Sequence, residues 1–286
     1  MATLRDIRHR IGSVRNTKQI TRAMKMVAAS KLRRSQERIY SARPYANEMM
    51  DLLESLAGRL EQEEHPLLAR RPEKKILLVV VTADRGLCGA FNANLLRTAE
   101  SYIRERGPDK VSLVAVGRKG RDFFRRRSVK ITAEYVNIFR QLAFSHAKDL
   151  ADKIIELYTK ESVDAVDFVY NEFKSMMTQN VKVERYLPVE PIVPPPGEFL
   201  VDYIYEQLPA EILKVLLPRY VEVQVFRALL ESQAAEYAAR MTAMDSATNN
   251  ADELIETLRL KLNRLRQAGI TKEIIEVVSG AQALEY

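Results

Sequence analysis

Between an apolar run and an amphipathic stretch lies Thr82-Ala83-Asp84-Arg85-Gly86-Leu87-Cys88-Gly89-Ala90-Phe91-Asn92, the segment whose residue types and spacing most invite chemistry. A glycine-containing turn that opens a helix can offer backbone N–H groups to a phosphate, as dinucleotide folds do. The spacing here is G-x-x-G, without G-x-G-x-x-G or G-x-x-x-x-G-K-[ST]. Asp84 and Arg85 beside tight glycines fit a structural ion pair equally well. Cys88 has no histidine close in sequence to activate it, and a lone small thiol reads as core. It is the only cysteine, which excludes an intrachain disulfide and a cysteine-based zinc cluster. The three histidines, His9, His65 and His146, are too widely spaced to suggest a metal set. No metal and no cofactor is expected.

Charge is the second signal. The 286-residue chain carries a net +7, and the surplus is uneven. Met1 to Arg43 holds twelve Lys or Arg against only Asp6 and Glu37, so the remainder is slightly acidic. Such a basic opening reads as an organelle-targeting peptide, a nucleic-acid arm, or a surface that meets an acidic protein. Nothing approaches the ~18 apolar residues of a membrane helix. An intracellular protein without a secretory signal is expected.

The elements that carry these residues are legible from periodicity. From Leu4 through Ile7, Ile11, Val14, Thr21, Met24, Ala28 and Leu32 to Leu56, apolar or small residues recur three and four apart, the rhythm of a coiled-coil seam. Thr3 and Asp6 resemble a capping box, and Pro44 predicts a bend near Tyr40 rather than a stop. A helix over 1–58 would be about 87 Å long at ~1.5 Å per residue. The rhythm returns from Pro209 to the C-terminus, with alanines crowding its middle, which predicts a second rod of about 114 Å. The rods are expected to pair antiparallel with residue 58 near 209, so that Met1 lies near residue 266 and the last stretch projects unpartnered. An ordinary helical bundle is the alternative, but no third helix of that length occurs. The expected fold class is α/β: a long antiparallel two-helix coiled coil from the terminal segments, plus an inserted Rossmann-like domain over 75–195. Within it, strands are predicted at 75–82, 111–116, 129–135, 163–173 and 177–187, with helices at 92–106, 118–127 and 145–160.

Three separated segments, in order, resemble the gamma subunit of F-type ATP synthases. They are Ile20-Thr21-Arg22-Ala23-Met24-Lys25-Met26-Val27-Ala28-Ala29-Ser30-Lys31-Leu32, the Asp84 to Gly89 turn, and a C-terminal set. That last set comprises Ala238 to Met244, Asn263 to Ala268, and Ile270 through Glu276 to Ala281. Leu262 departs from the family, which usually carries an aromatic residue there. The resemblance implies a central rotating shaft of the rotary motor, couples proton transport to ATP synthesis, and holds no nucleotide. The implied partners are three alpha and three beta subunits, the epsilon subunit and the c-ring. Arg22, Lys25, Arg33, Arg34, Arg240, Arg266, Gln267, Thr271 and Glu273 are implied beta-subunit contacts. Ile274, Val277, Val278, Ala281 and Leu284 form an implied bearing tip, with Ile270 alongside. Tyr203, Tyr205 and Glu206 form an implied foot for the c-ring and epsilon subunit. The family-like sequence begins almost at Met1, so no cleavable presequence is expected. The plant-type regulatory cysteine pair is absent. A peripheral subunit on the cytoplasmic face of a bacterial cell membrane follows. Two rival readings are a basic coiled coil that binds nucleic acid, with steep salt dependence, and an enzyme using the middle domain.

Overall fold

Six consecutive apolar residues with no polar interruption suit only a strand buried on both faces, and Ile76–Val81 is that strand. The computed structural model describes residues 3–57, 65–127, 129–176, 178–189 and 209–284. In chain order the elements are α1 (Leu4–Ala57), β1 (Ile76–Val81), α2 (Phe91–Arg106), β2 (Val111–Val116), α3 (Arg118–Phe124) and β3 (Lys130–Tyr135). A short 3-10 turn (Ile138–Arg140), α4 (Phe144–Thr159), β4 (Ala165–Phe173), β5 (Gln179–Leu187) and α5 (Pro209–Leu284) complete the series. The helix α1 passes through Pro44 and α5 through Pro218, so neither proline stops its helix. The described chain forms two compact units, Ala29–Arg240 and Met1–Ala28 with Met241–Tyr286.

The larger unit holds a five-stranded sheet in the order β3-β2-β1-β4-β5. Neighbours pair in parallel except β4 with β5, which are antiparallel. Because side chains alternate across a strand, β1 feeds two cores. Ile76, Leu78 and Val80 pack with Leu95, Ala99 and Ile103 of α2 and Phe124 of α3. Leu77, Val79 and Val81 pack with Leu150 and Ile154 of α4. A single 16-residue helix is about 10 Å wide and cannot cover five strands spaced ~4.8 Å apart. The rest of that face is closed by Leu213, Leu217, Val221, Val225 and Leu229 of α5, with Leu53 of α1 in the same core. The sheet therefore draws part of its core from outside 75–195, which the sequence reading did not anticipate. Farther along in this unit the two terminal helices meet directly: Leu32 packs with Ala234 and Ala238, and Ser35 Oγ donates to Gln233 Oε1 at 3.4 Å.

A buried charge ties the antiparallel edge to α2. Asp167 of β4 is 3% exposed and stands opposite Arg185 of β5. Arg185 Nε donates to Asp167 Oδ1 at 2.5 Å, and Tyr102 Oη of α2 donates to Asp167 Oδ2. The same guanidinium reaches Glu73 at 2.7 Å, and Arg106 reaches the other Glu73 oxygen at 2.8 Å. The hydrogen bond from Arg185 holds the Glu73 carboxyl below its usual range. Removing one partner of a buried pair strands the other. Asp167→Ala is accordingly expected to lower stability by about 3 kcal/mol, seen as a fall in the urea midpoint at constant slope.

The smaller unit is an antiparallel helix pair. Thr3 N donates to Asp6 Oδ2 at 2.9 Å and Asp6 N to Thr3 Oγ1 at 3.2 Å, the reciprocal cap its sequence suggests. Ile7 and Ile11 pack with Ile255 and Leu258, and Val14, Leu262 and Leu265 lie against them. Lys18 meets Asp252 and Lys25 meets Asp245, so seven residues forward on α1 match seven back on α5. Leu262, the departure from the family pattern, takes its place in this seam as an aliphatic side chain.

Candidate functional site

The turn that invited a phosphate is filled by its own chain. Thr82, 1% exposed at the end of β1, donates through Oγ1 to Val116 O at 2.9 Å and accepts from Gly120 N at 2.8 Å. Asp84 Oδ1 accepts the backbone N–H of Arg118 and that of Asn137, each at 3.0 Å. Its carboxylate thus sits on the first residue of α3, where the helix's unpaired N–H groups favour an anion. Asn137, with φ 61°, turns its amide toward the same oxygen. The expected Asp84–Arg85 ion pair is not what forms, because the carboxylate is committed to these amides and Arg85 is exposed.

The glycine end of the turn is equally committed. Leu87 and Gly89 take left-handed backbone angles, φ 66° and 56°. Ala83 N donates to Asn92 Oδ1 at 3.0 Å, closing the turn across α2's start. Cys88 is 1% exposed, and burial pushes its thiol up, away from the thiolate a nucleophile needs. Asn92 Nδ2 donates to its sulfur at 3.1 Å. Cys88 packs with Phe91, Ala83 and Ala235, the core role expected of it.

Arg240 belongs to this arrangement. Its Nη1 donates to Gly86 O at 2.7 Å, and its Nε donates to Glu236 Oε1 at 3.0 Å. Only 13% of the side chain is exposed. Arg240, expected as a contact with another subunit, is hydrogen-bonded within its own unit and clamps the turn to α5. Sequence spacing alone did not link positions 86 and 240.

The other expected contact residues lie on helix surfaces. In the larger unit, Arg33 pairs with Glu37 at 3.1 Å one turn along α1, and Arg34 is exposed. In the smaller unit, Arg22 is exposed, while Lys25 is engaged with Asp245 at 2.5 Å yet keeps 41% of its side chain accessible. Arg266, Gln267, Thr271 and Glu273 are all exposed on α5. Ile270, Ile274, Val277 and Val278 are 50%, 58%, 71% and 51% exposed, a run of apolar side chains on a helix without cover among the described residues. Ala281 and Leu284 belong to α5, but their side chains lie outside the described set. Tyr203, Tyr205 and Glu206, the expected foot, lie outside the described residues altogether. The Lys–Asp pairs of the smaller unit escaped the sequence reading, although a signal existed. Lys18 and Lys25 on one helix, and Asp245 and Asp252 on the other, are each one heptad apart.

A filled turn, a sheet whose central strands β1, β2 and β4 are buried on both faces, and terminal segments that pair as antiparallel helices together define an α/β protein with an inserted Rossmann-like domain. Residues 3–284 match the family described as ATP synthase. The ATP synthase gamma chain of Chloroherpeton thalassium is 48% identical over 306 residues, covering 100% of this chain and 99% of the relative. That of Solibacter usitatus is 50% identical over 289 residues and covers both chains completely. Among solved structures, a chain of the central stalk and c-ring of Tetrahymena thermophila mitochondrial ATP synthase has a TM-score of 0.62 at 28% identity, covering 80% of this chain and 99% of that one. A chain of the Euglena gracilis mitochondrial enzyme shares the fold, with a TM-score of 0.70 at 21% identity over 98% of this chain and 94% of that one. The chain belongs to the ATP synthase gamma chain family.

Proposed function

We propose that this chain works without a catalytic site of its own, transmitting rotation to catalytic beta subunits. Its role is that of the central stalk of an F-type ATP synthase, which fits a full-length match to gamma chains. The segments 1–58 and 209–286 act as the shaft, and 75–195 as the inserted domain. The observation that carries the mechanical reading is the terminal stretch of α5, where Ile270, Ile274, Ile275, Val277 and Val278 are each at least half exposed. Large apolar side chains in a row on a helix call for a sleeve built by another protein. A ring of three alpha and three beta subunits would provide it, with the epsilon subunit and c-ring at the other end.

Arg22, Lys25, Arg33 and Arg34 then face an acidic region of the beta subunits, joined farther along by Arg266, Gln267, Thr271 and Glu273. Exposed ion pairs of this kind are worth only ~0–1 kcal/mol each. That suits contacts which break and re-form at each step of rotation. Arg240 acts indirectly, by holding the Gly86 turn. No helix among the described residues is long and apolar enough to cross a membrane. The likeness to bacterial gamma chains supports attachment through partners, as a peripheral subunit on the cytoplasmic face of a bacterial membrane that binds neither nucleotide nor nucleic acid.

Co-purification tests the reading. Pull-down of the full chain at moderate salt is expected to recover alpha, beta and epsilon subunits in fixed ratio, with ATPase activity in the complex. Recovery of nucleic acid without ATPase would replace the shaft by the nucleic-acid reading. Saturable, micromolar nucleotide binding by the isolated chain would restore the enzyme reading.

A further inference from the structure

The middle of the smaller unit's helix pair departs from its apolar ends. Toward the N-terminus of α1 the seam is Ile7 and Ile11 against Ile255 and Leu258. Beyond Lys25 it becomes apolar again at Ala28 and Met244, 1% and 5% exposed. Between these stretches three polar contacts cross the seam, with the small apolar Ala251 buried beside them. Lys18 Nζ meets Asp252 Oδ1 at 2.5 Å, Thr21 Oγ1 meets Thr248 Oγ1 at 2.8 Å, and Lys25 Nζ meets Asp245 Oδ1 at 2.5 Å. Thr21 is 8% exposed, whereas Thr248 is half-buried.

The protons at the central layer can be placed. Each hydroxyl has one to give. Thr248 Oγ1 lies 2.7 Å from Met244 O, whereas Thr21 Oγ1 lies 3.0 Å from Lys18 O. The shorter bond assigns Thr248 as donor to its own helix, which leaves it to accept from Thr21. Thr21 and Thr248 then share a hydrogen bond across the seam, which exists only while they face one another; apart, each hydroxyl falls back on a carbonyl of its own helix.

Other registers fail this condition. A coiled-coil seam is nearly self-similar every heptad, so an axial slip of seven residues is the nearest competing packing. Slipped one way, Lys18 still finds Asp245, but Thr21 faces the Met241 position. Slipped the other way, Lys25 still finds Asp252, but Thr21 faces Ile255 and Lys18 faces Arg259. The two Lys–Asp pairs alone tolerate displacement, each retaining one partner. The threonine pair does not, since its bond across the seam has no substitute against Met241 or Ile255, and either slip forfeits that hydrogen bond.

We propose that the Thr21–Thr248 layer is the register lock of the helix pair, fixing the axial position of α5 against α1 while the flanking pairs add strength without selectivity. This holds independently of the shaft assignment. A lone polar contact at a core position is a recognised way for a coiled coil to exclude alternative registers.

The test uses the full chain with Cys88→Ser and spin labels at Arg15→Cys and Lys272→Cys, read by pulsed dipolar spectroscopy. The starting chain is expected to give one distance. Thr21→Val with Thr248→Val is expected to add a second population displaced by about 10 Å, seven residues at ~1.5 Å each. Adding Lys25→Asp with Asp245→Lys preserves attraction in the native register. It also sets like charges together in both slipped ones, Lys18 against the new lysine or the new aspartate against Asp252. That four-site variant is expected to return to a single distance. An unchanged single distance in the double valine variant would show that apolar packing alone sets the register. A broad, unfolded distribution that the charge exchange does not recover would equally overturn the lock.

Discussion

Gly117→Ala is expected to cost more than about 3 kcal/mol, well beyond an ordinary glycine replacement. Gly117 follows β2 and precedes α3 with φ +89°, a region L side chains rarely adopt. A Cβ there would lie 2.0 Å from Thr82 O, 2.7 Å from its carbonyl carbon and 2.8 Å from its Oγ1. The clash falls on backbone, and that backbone is held in place: Thr82 N donates to Val116 O at 2.8 Å, and its hydroxyl bonds Val116 O and Gly120 N. Movement would also disturb Gly117 N, which donates to Tyr135 O at 2.7 Å. Gly107 supplies the control. Its φ of +93° carries the same conformational cost, but nothing lies within 4 Å of its would-be Cβ. Gly107→Ala should therefore cost about 1–2 kcal/mol, the conformational part alone. Urea unfolding of both variants separates strain from collision; nearly equal losses would show that the β1 end relaxes freely and is not the packed plug described above.

Much of the fold was legible because periodicity reports burial directly. The run expected over 75–82 is the strand Ile76–Val81, the strand at 111–116 is found at those residues, and the helix expected from Pro209 starts there. Antiparallel pairing of the terminal helices was legible as well, since a narrow 3-4 stripe has to meet a similar one. The expected pairing of residue 58 with 209 falls outside the described residues, while in the smaller unit Lys18 meets Asp252. What escaped were contacts between distant positions that no local pattern encodes. Asp84 looked like half of an ion pair with its neighbour, whereas its acceptor capacity goes to Arg118 N and Asn137 N, 34 and 53 residues away. Arg240 lies in a segment whose resemblance suggested an outward role, and its partner Gly86 is 154 residues distant. The covering of the sheet by Leu213 to Leu229 escaped for a related reason. One stripe on α5 can serve a helix or a sheet, and its spacing is the same for both. The candidate site was therefore legible as a place, the turn after β1, but its occupation by Asp84 was not.

Removing the residues after Gly269 is expected to leave the fold intact and weaken assembly. Described side chains from Ile270 to Gly280 are all exposed, and the seam of the smaller unit draws on none of them. The melting temperature of the free chain should therefore move by no more than a few degrees, as for surface changes of under about 0.5 kcal/mol. Binding should respond differently. Ile270, Ile274, Ile275, Val277 and Val278 are each at least half exposed, and burying even one such side chain in a partner's sleeve is worth about 1.5 kcal/mol, or a tenfold change in affinity. Losing all five exceeds that even after the entropy of fixing a helix end is subtracted, so the complex with alpha and beta subunits should dissociate at least about tenfold more readily on dilution. Size-exclusion chromatography across a dilution series, alongside circular dichroism of the free chain, reads the two effects apart. A truncated chain that assembles as tightly as the full one would mean that the exposed stripe makes no bearing. A truncated chain that unfolds would mean that those residues support a core, contrary to their exposure. The experiment turns on the difference between an apolar surface that stabilises its own chain and one that awaits another.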